Sequence, residues 1–254
     1  KLFNGVMLFQ WMLAFLIFTA LFGSTQIINE LRKVWENKLI SVGYLRMTPK
    51  DQITITRAEF ICGLIVILSL VGAFLLGTKF GMIALAYFIL QVLYYLFLQK
   101  VIILDFLTLP LIYTLSVIGT GYLIWYYISP WLLCALLSFL IFLNLGQLKN
   151  ESLTRSSKYA PEFFDHMLSF TATSTVVLYS LYSFLSAQVT YELQTPLLVL
   201  TIPFIIAIIG RYFYLMYQEK NPELFEIRVI LDLPFMWTII GWIAVSIIII
   251  YTGI

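Results

Sequence analysis

The residues best placed for chemistry in this chain lie in one polar run, Asn29-Glu30-Leu31-Arg32-Lys33-Val34-Trp35-Glu36-Asn37, at the end of a long apolar segment. A hard cation such as Mg2+ is held by carboxylate and other oxygens, and side chains three or four residues apart share one face of a helix. Glu30 and Lys33 have that spacing, with Asn37 one turn further on. The set makes a poor cation cradle, because the Lys33 ammonium repels the ion that Glu30 attracts and Asn37 offers only a neutral oxygen. The same run also reads as a solvated loop of alternating charges, or as a patch for an anionic lipid headgroup or phosphate.

Other candidates are scattered. Asp105 stands near the start of an apolar helix, either as a helix cap or as a site residue. Lys100, Lys149 and Arg211 join Lys33 as cations able to meet a phosphate or lipid headgroup. Arg211 falls close to a membrane-embedded segment, where an ionisable side chain marks a functional site by default, although a long side chain there can also snorkel to the surface. His166 follows Asp165 with no second His or Cys nearby, so no metal site is expected around it. Cys62 and Cys134 both lie in apolar runs, where a thiol acts as a small buried hydrophobe.

The elements that must position these residues are membrane helices. Hydrophobic residues make up 61% of the 254 and charged residues 11%, against about 45–50% and about 25% in soluble domains. A net charge of +2 gives no reason to expect a nucleic-acid partner. A span needs about 20 apolar residues, and eight segments qualify: 2–28, 59–76, 80–98, 102–126, 130–148, 163–187, 196–217 and 230–252. Together they predict one all-α integral membrane domain over 1–254 with a cytoplasmic loop at 29–58. Pro110 and Pro203 fall inside two segments and each is expected to kink its helix. Within the loop, the portion 46–57, with Pro49 before Asp51, is expected to form a short helix or cap.

Lys and Arg set the orientation. One set of connections carries Arg32, Lys33, Lys38, Arg46, Lys50, Arg57, Lys100, Lys149, Arg155, Lys158, Lys220 and Arg228, and the other only Lys1 and Lys79. The positive-inside rule makes the rich side cytoplasmic and puts Lys1 and Ile254 outside. Most of the Trp residues sit near the ends of these segments and fit interfacial anchoring. The first apolar run is too long for a secretory signal.

With those residues in view, the chain resembles the UbiA superfamily of intramembrane prenyltransferases, whose first metal motif runs Asn-Asp-x-x-Asp-x-x-x-Asp after a transmembrane helix. Asn29 keeps the Asn and Glu30 stands for the first Asp, while Lys33 and Asn37 take the other acidic places. Further stretches look like the bacterial branch that includes decaprenyl-phosphate phosphoribosyltransferases. They are Leu98-Gln99-Lys100 before Asp105, Tyr113-Thr114-Leu115-Ser116, Gln147-Leu148-Lys149-Asn150-Glu151-Ser152, Tyr159 to Met167, Ser180-Leu181-Tyr182, Arg211-Tyr212-Phe213-Tyr214 and Leu231-Asp232. Ser116 stands where the branch has Arg, and Gln147-Leu148 where it has Lys-Arg; Asp105, Ser116, Gln147 and Glu151 are the equivalents of the later motifs. The resemblance implies a UbiA-like multi-helix bundle in a bacterial inner membrane, with one further helix preceding Lys1.

Loss of the acidic and basic positions removes the groups that would hold a metal-bridged diphosphate, and charge stabilisation of that kind usually contributes most of the rate in such chemistry. The expectation is therefore a non-catalytic UbiA-like protein, without metal or cofactor, that binds a membrane lipid, isoprenoid or pigment and joins other membrane protein subunits. Alternatives are an active Mg2+-dependent transferase of polyprenyl or phosphoribosyl groups, and a transporter or flippase. No inverted repeat of broken half-helices supports the last.

Overall fold

The structure, a computed structural model, describes residues 5–41, 49–101, 103–125, 128–152, 160–189, 196–218 and 222–252. Among them there are helices and no strand. They form two compact units, Lys1–Tyr127 and Ile128–Ile254. The first holds α1 (Gly5–Ser41), α2 (Pro49–Leu76), α3 (Thr78–Leu96) and α4 (Leu104–Leu123). The second holds α5 (Pro130–Ser152), α6 (Pro161–Val189), α7 (Ile202–Gln218), α8 (Pro222–Leu231) and α9 (Leu233–Thr252). Short 3-10 turns cover Leu98–Lys100 and Pro196–Thr201.

Seven helices are long and apolar enough to cross a membrane, over Gly5–Leu31, Thr56–Leu76, Thr78–Leu96, Leu104–Leu123, Pro130–Asn150, Glu162–Leu185 and Leu197–Gln218. The protein is an α-helical membrane protein. The remaining apolar helix, α9, offers the shorter stretch Leu233–Ile249.

Three elements depart from the sequence expectation. The polar run from Asn29 does not leave the helix; α1 continues unbroken to Ser41. Glu, Leu, Arg and Lys are good helix formers, Arg32 and Glu36 have ion-pair spacing, and no Gly or Pro intervenes before Gly43. The expected short helix at 46–57 is instead the opening of α2, which starts at Pro49 and runs straight into the span. Proline suits a first helical position, whose N–H has no partner to lose. Finally, 230–252 is broken at Asp232, which separates α8 from α9. Residues 42–48, Lys1 and Ile254 lie outside the described residues.

Each unit has its own core. In the first, Phe18 of α1 meets Phe80 and Tyr87 of α3 edge-on, with centroids 5.5 and 4.9 Å apart. Around them pack Leu21, Val66, Ala84 and Ile112. The tight corner between α2 and α3 depends on Gly81, where a Cβ would stand 2.5 Å from the Phe74 ring and 2.9 Å from its backbone. Pro203, expected mid-helix, occupies the second position of α7, where its missing N–H costs nothing. Pro110 is inside α4 as expected.

In the second unit, Phe142 of α5 packs on Tyr212 and Phe213 of α7 at 5.1 and 5.0 Å. The Tyr212 hydroxyl donates to the Leu143 carbonyl at 2.9 Å, laying its ring across Gly146. A Cβ at Gly146 would come within 2.6 Å of that ring and its oxygen. Gly146→Ala should therefore force the ring off its seat and cost about 1–3 kcal/mol, the usual range for overpacking. Thermal unfolding of the full chain in nanodiscs checks this; a melting temperature equal to that of the unsubstituted protein would contradict the contact.

Candidate functional site

In α3, Tyr87, Gln91 and Tyr94 recur at a spacing of four and three and so lie on one face of an otherwise apolar helix. In α1, Thr25 and Asn29 share a face in the same way and are buried, as is Ser24 beside them. The two faces meet. The Thr25 hydroxyl lies 2.9 Å from Gln91 Oε1, with the Leu21 and Phe22 carbonyls at 3.0 and 2.9 Å as alternative acceptors for its single proton. Gln91 Nε2 donates in turn to the Tyr87 hydroxyl at 3.4 Å. Gln91 is fully enclosed, and an amide buried in a membrane span is stable only when bonded in this way.

One turn nearer the end of α3, the Tyr94 hydroxyl donates to Asp105 Oδ1 of α4 at 3.1 Å. Asp105 is 8% exposed. It is not the cap of α4: that position is Ile103, with φ 77° and no side-chain cap bond. A β-branched residue at positive φ is strained, and here it turns the chain so that Asp105 faces α3. Tyr95 lies within electrostatic reach of Glu30, and Tyr113 of α4 within reach of Tyr87, Tyr94 and Tyr95. Gln91 stands five residues and Tyr87 nine residues before the end of α3, about 7 and about 13 Å along a helix. Unit 1 thus carries a polar seam that runs from Glu30 and Asp105 at one end to Tyr87 near mid-span.

The sequence candidates fall on or beside this seam unevenly. Asn29 is buried and Glu30 exposed on the continuing α1 helix. Because that helix is unbroken, positions 30, 33 and 37 do share one face, but the side chains of Lys33 and Asn37 lie outside the described residues, as does that of Glu151. Ser116 donates to the Tyr113 carbonyl of its own helix at 2.7 Å, and Lys100, Gln147 and His166 are exposed. Among the described residues no three His, Cys, Asp or Glu side chains come together. Of the two candidate carboxylates described in unit 1, Glu30 is exposed and Asp105 accepts the Tyr94 hydroxyl.

The remaining cations are committed in unit 2. Lys149 Nζ meets Asp165 Oδ1 at 2.6 Å and lies 4.1 Å above the Tyr217 ring, whose hydroxyl also donates to Asp165 at 2.8 Å. Arg211 forms a forked pair with Asp232, Nε to Oδ2 at 2.9 Å and Nη2 to Oδ1 at 2.7 Å, and rests on Tyr214 at 4.7 Å. Such forks are the strong form of the ion pair. Asp232 Oδ2 also accepts the Phe235 N–H at 2.9 Å, which ties it to the first turn of α9. Cys62 is buried as expected, whereas Cys134 is exposed on α5.

Thr25, Gln91, Tyr87, Tyr94 and Tyr95 are not among the candidates that the sequence alone suggests. The signal that could have found them is the amide Gln91 inside an apolar run with tyrosines one turn to either side. Comparison with known proteins adds nothing to this geometry: no protein-family model matches the chain, and no curated protein is similar to it.

Asp232→Asn takes the counter-charge from an Arg211 that lies inside a span, and a charge left without its partner there is costly. The unfolding midpoint of the full chain in nanodiscs should therefore fall for Asp232→Asn at neutral pH. A midpoint equal to that of the unsubstituted protein would mean the pair carries no stability.

Proposed function

We propose that this protein is a non-catalytic, UbiA-like integral membrane subunit with eight spanning helices, α9 being the eighth. It binds a membrane lipid, isoprenoid or pigment tail and associates with other membrane proteins. The basic connections lie on the cytoplasmic side of a bacterial inner membrane in this reading.

The observation that carries the proposal is the Tyr94 to Asp105 bond. A carboxylate that grips a metal-bridged diphosphate needs its oxygens open toward the ligand. Asp105 instead points one oxygen into a tyrosine hydroxyl within the helix contact. The substitutions at Lys33, Asn37, Ser116 and Gln147-Leu148 support the same reading, since a transferase uses acids and cations at those places to stabilise the departing phosphate. The closed Thr25, Gln91 and Tyr87 contacts support a scaffold role for the rest of the seam. The transferase alternative draws on Glu30, exposed beside the buried Asn29.

Full-length protein in nanodiscs should show no Mg2+-dependent transfer from polyprenyl diphosphate or phosphoribosyl diphosphate, and mass spectrometry of the purified protein should find a retained lipid or isoprenoid. Transfer that depends on Mg2+ and disappears in Glu30→Gln would overturn the reading in favour of an active transferase.

A further inference from the structure

The connector between the last two long helices has an unusual surface. α8 has ten residues, about 15 Å of helix. It places Phe225 in the protein, edge-on to Tyr212 at 5.5 Å. On the opposite face, Ile227, Ile230 and Leu231 sit at helical spacing with exposures of 54, 67 and 71%. Three large aliphatic side chains on a water-washed connector would forfeit the stabilisation that removal from water brings. A helix that is apolar on two opposite faces belongs where both are covered.

The level of α8 relative to α7 is fixed at two points. Phe225, the fourth residue of α8, touches Tyr212, and Asp232, just beyond its last residue, is forked to Arg211. Both contacts fall on the same turn of α7, so α8 lies across that helix and does not project from its end. That turn is six to seven residues before Gln218, about 10 Å inside the end of a spanning segment. Beyond Asp232, which is turned to Arg211, α9 follows with Leu233, Trp237 and Ile240 exposed.

Resting on the reading that α7 and α9 both cross the bilayer, we propose that α8 is an interfacial helix lying in the plane of the membrane. Its Ile227, Ile230 and Leu231 face is seated in the lipid of the leaflet at the Arg211 end. The occupant is bilayer lipid itself: the depth matches the 5–10 Å or so to which amphipathic interfacial helices sink, and the face is an extension of one that α9 already shows to lipid. The Arg211–Asp232 fork holds the helix at this level.

The test places a nitroxide label at Ile227→Cys, Ile230→Cys or Leu231→Cys, in full-length protein carrying Cys62→Ala and Cys134→Ala, in phosphatidylcholine and phosphatidylglycerol vesicles. Ile243→Cys in α9 is the control. Relaxation by dissolved oxygen should exceed relaxation by a water-soluble nickel chelate at all four positions, and Asp232→Asn should shift the Leu231 label toward the nickel signal. A nickel-dominated signal at Ile227, Ile230 and Leu231 with an oxygen-dominated control would overturn the interfacial helix alone. A nickel-dominated control would overturn the eight-span reading and this proposal with it. If the cysteine-free protein does not fold, a benzophenone side chain introduced at Ile230 of the otherwise unchanged chain replaces the label: lipid adducts on irradiation are expected, and adducts confined to protein would overturn the proposal.

Discussion

A hydrocarbon slab offers no hydrogen-bond partner, and many of the polar side chains in the spanning segments of this protein are arranged around that constraint. Thr108, Thr114, Thr120, Thr171, Thr175, Ser180 and Ser183 each return their hydroxyl to the carbonyl four residues earlier in their own helix. Such bonds satisfy the hydroxyl without recruiting a neighbour. Thr25, Gln91, Tyr87, Tyr94 and Asp105 are different, because they reach across from one helix to another or along a shared face. In lipid, where apolar burial does not drive helices together, interhelical bonds of this kind average only about 0.6 kcal/mol. Close packing, as where Phe74 meets Gly81 and Tyr212 meets Gly146, adds to them.

The same constraint explains the two ion-pair clusters of unit 2. A lone Arg211 inside a span would be costly. Forked to Asp232 and stacked on Tyr214, it becomes the fastening between α7 and the start of α9. Lys149, Asp165 and Tyr217 make an equivalent fastening among α5, α6 and α7. Both clusters turn a necessary charge into a packing element.

How much of the fold and the site is legible in the sequence depends on the range of the interactions involved. Seven spans stand out because about 20 consecutive apolar residues have few other uses. The course of α1 beyond Asn29 differs from expectation because polarity suggests a loop, whereas the absence of Gly and Pro and the favourable charge spacing keep the helix going. The break at Asp232 lies inside an otherwise apolar pattern. Asp232 caps the first turn of α9 by accepting the Phe235 N–H, with Pro234 in that turn, so the break has a local signal, whereas the fork to Arg211, 21 positions away, is not legible in the sequence. Asp105 reads equally well as a cap or a site residue, and its bond to Tyr94 of α3 depends on how α3 and α4 pack, which no local pattern shows. Gln91 and its tyrosines are visible as letters but not as a site, since their meaning depends on α1 supplying Thr25.

The proposed function makes the polar end of unit 1 a set of helix contacts in place of a grip for a metal-bound phosphate. Titration of the full chain in nanodiscs with Mn2+, read by electron paramagnetic resonance with inorganic diphosphate present, tests that most directly. The predicted result is lipid-level binding only, unchanged in Glu30→Gln and Asp105→Asn. A saturable Mn2+ site that either substitution abolishes would contradict it.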